Sequence, residues 1–179
     1  LKEWKHKSTV LKSKNPWWEY RFDRCIIPNG KEYDYHYVHT GGSAMIIPVT
    51  EGGKIILVRQ YRYLNRKFSV EFPAGGIKDG QNPDDIARKE LIEETGFDGA
   101  LEKIGFFNPY NGITDEICHV FLATKLVPSD KESKDEQEEF EYLILTPEEI
   151  DEKIFKNEIY DGMTMAAWSV ARKYFNEKH

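Results

Sequence analysis

One helix constrains this chain more than any other feature, because both of its ends are marked in the sequence. Pro83 stands at the start of PDDIARKELIEET, where its fixed φ suits a first helical turn. Asp84 and Asp85 follow, where the helix dipole favours negative charge, and Gly96 stands just past Thr95 as a stop. Strand-like segments flank this helix on both sides. Ala44 to Val49 reads as a buried strand, followed by a Glu51-Gly52-Gly53 turn and a strand from Ile55 to Tyr61. Beyond the helix, Glu116 to Lys125 and Phe140 to Leu145 read as strands, and Pro147 to Asn157 and Met163 to Asn176 as amphipathic helices. One central helix among strands, closed by two terminal helices, predicts a mixed α+β domain.

Ahead of it, Trp4 to Lys12, Trp17 to Pro28 and Glu32 to Thr40 read as three strands, with Asn29-Gly30 marking a hairpin. Residues 1–40 are therefore expected to form an antiparallel lobe and residues 41–179 the main domain. A three-stranded lobe is marginal alone, so it is expected to pack on the main domain or on a second subunit.

The 25 Lys and Arg against 31 Asp and Glu give a net charge of -6, which disfavours a general nucleic-acid binder. No apolar run reaches the roughly 18–20 residues of a membrane span. Leu1 to Ser13 is polar and basic, unlike a signal peptide, and the chain begins without Met, so natural residues are expected to precede it. Cys25 and Cys118 form no CxxC pair, which suits a reduced cytoplasm, although one long-range disulfide stays open.

The chemistry concentrates between Gly75 and Phe97. Glu90, Glu93 and Glu94 are neighbours on one helix face, while Leu91 and Ile92 are expected to anchor the other side. Carboxylates so placed form either a solvated acidic face or, with a cation between them, a metal site at the surface. Hard divalent cations such as Mg²⁺ prefer such oxygen ligands. Ala74-Gly75-Gly76 adds backbone that can approach a ligand closely.

The segment resembles the box of the Nudix hydrolase family, G-x5-E-x7-R-E-U-x-E-E-x-G-U with U an aliphatic or aromatic residue. Gly75, Glu90, Leu91, Glu93, Glu94, Gly96 and Phe97 match it in spacing, while Gln81 and Lys89 stand for the isolated Glu and the Arg. Leu57 to Arg62 (LVRQYR) and Glu71 to Gly76 (EFPAGG) resemble the branch that cleaves ADP-ribose and other nucleoside diphosphate sugars. The resemblance implies the Nudix fold, a mixed sheet between helices in an α/β/α sandwich, and a homodimer that exchanges its N-terminal lobes.

It further implies that Glu90, Glu94 and the Ala74 carbonyl ligate Mg²⁺ or Mn²⁺, and that Glu93 ligates a metal or its waters, with two or more ions per site. Arg62 and Arg59 would face the diphosphate or distal sugar. Glu116 would contact substrate from a loop, Asn108 to Glu116, in which Gly112 and Thr114 also fit the branch; Asn111 stands where that branch has the Pro that accompanies ADP-ribose. Trp17, Trp18 and Tyr20 would stack on the nucleobase or fill the lobe's core or the dimer interface. The general base would be Glu136, with Glu138 next to it, on the acidic stretch from Ser129 to Glu139. His36 and His39 read as ordinary strand residues, and no P-loop or GxGxxG is present. The expected activity is Mg²⁺-dependent pyrophosphate hydrolysis of a nucleotide sugar. Rival readings are another diphosphate substrate (GDP-mannose, a flavin or a dinucleoside compound) and a non-catalytic nucleotide sensor.

Overall fold

In the computed structural model, which describes residues 1–130 and 141–175, the central helix α1 spans Pro83–Thr95, the range its end signals mark. Asn82, in extended backbone, accepts the Asp84 N–H through its side chain at 3.1 Å, and a cap of this kind contributes about 1 kcal/mol. At the far end Gly96 takes a φ of 74° and its N–H donates to the Ile92 carbonyl at 2.9 Å.

The strands are β1 (Lys5–Lys14), β2 (Glu19–Ile26), β3 (Glu32–His39), β4 (Ser43–Pro48), β5 (Ile55–Arg62), β6 (Lys67–Glu71) and β7 (Ala74–Gly76), all before α1. After it come β8 (Phe97–Phe107), β9 (Cys118–Pro128), β10 (Glu141–Leu145), α2 (Pro147–Phe155) and α3 (Gly162–Ala171), which tightens into a 3₁₀ turn at Arg172–Phe175. A mixed sheet of order β7-β4-β9-β8 is the centre, with β4 and β9 parallel and the outer pairings antiparallel. Every residue of β4 is buried, as a strand covered on both faces must be. Its Ala44 and Ile46 join Phe121, Ile86 and Leu91 beneath α1. Its Met45 and Ile47 face the other way, onto a core with Val120, Leu57, Phe72, Ile150 and Trp168. A second sheet, β10-β5-β6, contributes to that core, and Asp151 ties α2 to α3 by accepting from Trp168 Nε1 at 2.6 Å and Arg172 Nε at 2.9 Å. No helix among the described residues is long and apolar enough to cross a membrane.

Three strands are absent from the sequence reading. β8 escapes it because two register shifts against β9 break its alternation, β7 because Ala-Gly-Gly carries no pattern, and β6 because it is short and half exposed. The second strand starts at Glu19, not Trp17. Asn15 Oδ1 accepts the N–H groups of both Trp17 and Trp18 at 2.9 Å, an Asx turn that holds the two tryptophans outside the ladder. The last helix begins at Gly162 and gives way to 3₁₀ geometry after Ala171, while Phe140 and Asn176 lie outside the described residues.

β1, β2 and β3 form their own antiparallel sheet. The β2–β3 connection runs over residues 27–31, and the Ile27 N–H to Lys31 carbonyl bond at 3.0 Å closes its three-residue tip, Pro28 to Gly30, with Gly30 at a φ of 86°. β3 also reaches the rest of the fold, since the Val38 N–H donates to the Ile113 carbonyl at 2.8 Å. Just beyond it, Gly41 lies on the chain that precedes α1. A Cβ there would stand 2.3 Å from the Ile77 carbonyl oxygen and 2.9 Å from the Asp79 nitrogen, both backbone atoms. Gly41→Ala should therefore destabilise the protein by about 1–3 kcal/mol, read as a lowered urea midpoint. Gly52→Ala, where the nearest atom is 4.0 Å away, should leave the midpoint nearly unchanged.

Candidate active site

The site is built where β7 meets α1. A Cβ on Gly75 would fall 2.3 Å from Cδ of Glu90, so the glycine backbone lies directly against that carboxylate. One residue earlier, the Ala74 N–H donates to Glu94 Oε2 at 3.1 Å. Glu94 is only 6% exposed, so this part of the site is buried rather than superficial as the sequence implied. Its depth comes from β7, which covers the last turns of the helix. Lys89 bridges the other two acids, donating to Glu90 Oε1 at 3.1 Å and to Glu93 Oε2. Burial pulls the Lys89 ammonium down, but the hydrogen bonds to Glu93 and Glu90 prevail and raise it above its ordinary value. Gln81 has a structural task, because its side-chain oxygen accepts the Lys78 N–H at 2.8 Å and closes the turn before α1.

Whether a divalent metal fits can be judged from these donors. Among the described residues no group of three His, Cys, Asp or Glu side chains is arranged to hold one as it stands. Glu90 and Glu93 are turned to Lys89, and Glu94 to the Ala74 amide. The chemistry of the set nonetheless fits a hard cation: three carboxylates on one helix face, with a backbone carbonyl at Ala74 and only small residues on the adjoining strand.

Arg62 stands beside this cluster. Glu71, 4% exposed, accepts from Arg62 Nε at 2.8 Å and from Nη2, a two-pronged pair that raises the guanidinium above its ordinary value, with Asp161 and Glu94 adding to it. Glu71 is a residue whose role the sequence did not disclose; it stands opposite Val58 in the ladder and meets Gln60 and Arg62 only through their side chains. Glu116 accepts from Ser43 Oγ at 2.7 Å at the start of β4, next to Cys118. Burial pushes the Cys118 thiol up to about 11, against a hydrogen bond with Ser43 that pulls it down. Cys25 and Cys118 are both free and buried.

Other expected residues are not gathered here. Arg59 is three residues from Arg62 on one strand and so lies on the opposite face. It pairs with Glu141 at 2.6 Å, stacks over the Phe68 ring at 4.4 Å and lines a different groove with Tyr142 and Lys153. Trp17 and Trp18 line a groove of about 270 Å³ between the N-terminal sheet and the loop before α1, together with Lys78 and Asp79. Tyr20 donates to or accepts from His36 Nδ1 at 2.7 Å, on the N-terminal sheet. Glu136 and Glu138 lie outside the described residues.

A family model described as the NUDIX domain matches residues 39–164. An ADP-ribose pyrophosphatase of Bacillus subtilis (strain 168) is 39% identical over 143 residues, spanning 79% of this chain and 77% of its own. A methanol dehydrogenase activator of Bacillus methanolicus is 35% identical over 147 residues, 81% of this chain and 80% of its own. A crystal structure of an ADP compounds hydrolase superposes with a TM-score of 0.81 at 18% identity, covering 97% of this chain and 95% of that one, and so shares its fold. Nudix hydrolases generally use divalent metal ions, in keeping with the oxygen donors on α1. The match extends well beyond the loop and helix that carry the acids, and on it the chain belongs to the NUDIX family.

Proposed function

We propose that this chain hydrolyses the pyrophosphate bond of ADP-ribose or a related nucleoside diphosphate sugar, using Mg²⁺ (or Mn²⁺), and releases a nucleoside monophosphate and a sugar phosphate. The observation that carries the reading is the gathering of Glu90, Glu93 and Glu94 against the Ala74-Gly75 backbone. The names borne by the relatives support the substrate class. Two or more ions, when bound, supply charge neutralisation on the diphosphate and a more acidic attacking water. Glu90, Glu94 and the Ala74 carbonyl would hold them, with Glu93 on an ion or its waters. Arg62, fixed by Glu71, offers the diphosphate a planar cation, and Glu116 contacts substrate from the facing loop. Glu136, or Glu138 beside it, takes the proton of the attacking water. The exposed rings of Trp17 and Trp18 offer the nucleobase a flat surface.

We assign residues 1–40 to a lobe that pairs two subunits into a homodimer. Its exposed Trp4, Leu11 and Tyr33 are the apolar surface such pairing would cover. A net charge of -6 argues against nucleic acid as a partner, and two free cysteines suit a reducing cytoplasm; neither reading calls for a membrane.

The direct test is Mg²⁺-dependent release of AMP and a sugar phosphate from ADP-ribose, beside a panel of nucleotide sugars. No turnover of any of them, with binding retained, would establish the sensor reading instead. Gly75→Ala should lower kcat about a hundredfold or more while leaving the melting temperature near wild type, because its Cβ displaces only the flexible end of Glu90. Glu136→Gln should cut kcat by about 10²–10⁴-fold with substrate binding retained, and Glu138→Gln much less; the reverse order would transfer the role to Glu138. Sedimentation should find a dimer for residues 1–179 and a monomer for 41–179.

A further inference from the structure

We propose that His39 is a positioning residue for the hydrolysis inferred above: its ring ties the loop carrying Glu116 to the loop that opens α1, and thereby sets the groove into which substrate binds. The proposal rests on that functional reading. His39 ends β3, and its side chain is 18% exposed. Nδ1 lies 2.6 Å from Asp115 Oδ2, and Nε2 lies 3.4 Å from Asp79 Oδ1 on the opposite side of the ring. Asp115 immediately precedes Glu116, and Asp79 lies in the turn that Gln81 closes. An imidazole can face two carboxylates across a rigid plane; a neutral ring donates to one of them and an imidazolium to both.

Both ends of this link are anchored. The other Asp115 oxygen accepts the Thr40 N–H at 3.3 Å, and the loop hangs on β3 by main chain, through a parallel bridge between Val38 and Thr114. Tyr35 Oη donates to the Gly112 carbonyl at 3.0 Å, and Asn108 Nδ2 donates to the Glu116 carbonyl at 2.9 Å. The Ile77 N–H donates to the Gly42 carbonyl at 2.9 Å, and Gly41 packs directly on the backbone of Ile77 to Asp79, so that loop is held beside the end of β3. His39 also forms part of the groove wall with Trp17, Trp18 and Lys78. A shift of the ring would therefore change the spacing of the groove and the place of Glu116 together, without touching Glu90, Glu93 or Glu94. Nothing in the local sequence discloses this, since Asp79 and Asp115 meet His39 only through the fold.

The test uses the full chain and ADP-ribose. His39→Phe keeps the ring's bulk and removes its polar contacts; it should raise KM about tenfold, the worth of one charge-assisted hydrogen bond, with kcat within about twofold of wild type. Asp115→Asn should do the same, the double variant should lose little more than either single one, and His39→Gln should recover part of the loss. Amide hydrogen exchange at residues 112–116 should quicken in His39→Phe. Unchanged exchange, unchanged KM, a loss confined to kcat, or additive losses in the double variant would each overturn the proposal. If His39→Phe does not fold, Asp115→Asn and His39→Gln carry the same comparison. If the wild-type protein turns over no nucleoside diphosphate sugar, the functional reading fails, and exchange at 112–116 still decides whether the ring holds the loop.

Discussion

A side chain at residue 75 and a carboxylate at residue 90 would need the same space, and the place of the acid against the strand follows from that exclusion. β7 is placed by pairing with β4, which is buried on both faces and fixed by the core, and with no Cβ at Gly75 the Glu90 carboxylate can lie between strand and helix. The helix is then held from behind by Leu91 and Ile86, from the front by β7, and at its ends by Asn82 and Gly96. Its acidic face is turned toward a sheet edge rather than toward open water. That accounts for a carboxylate as buried as Glu94 on a helix whose other face is the core.

Such burial is costly unless opposite charge and hydrogen bonds accompany it. Lys89 supplies the charge for Glu90 and Glu93, and Arg62, within electrostatic range of Glu94, is itself held by Glu71. Cations and acids here form one interlocked set. Replacing Lys89 or Glu71 would disturb the acids as well as remove a partner.

How much of this could be read beforehand depended on whether a feature was local. α1 was legible to the residue because proline, aspartates and glycine act within a turn of where they stand. The grouping of Glu90, Glu93 and Glu94 followed from helical spacing alone. The depth of Glu94 did not, because β7, a strand of Ala-Gly-Gly, carries no pattern to announce that it covers the helix. Arg62, and after it Arg59, are both expected to face the diphosphate or distal sugar, yet the two-residue period of a strand sends them to opposite faces. Trp17 looked like strand until the Asn15 side chain captured its N–H. β8 was lost to its bulges, and Glu71 and Ser43 acquire their roles only through partners distant in sequence.

Cys118, paired with Ser43 and two residues past Glu116, points into the core on the face of the central sheet away from α1, and its thiol is held near 11 chiefly by burial. At pH 7 only about one such thiol in ten thousand is ionised, and the thiolate is the form that oxidants and alkylating agents attack. A sulfur enclosed in the core is in this way kept chemically silent. The enclosure that makes β4 and β9 a dependable platform also shields the protein from oxidative damage at that point.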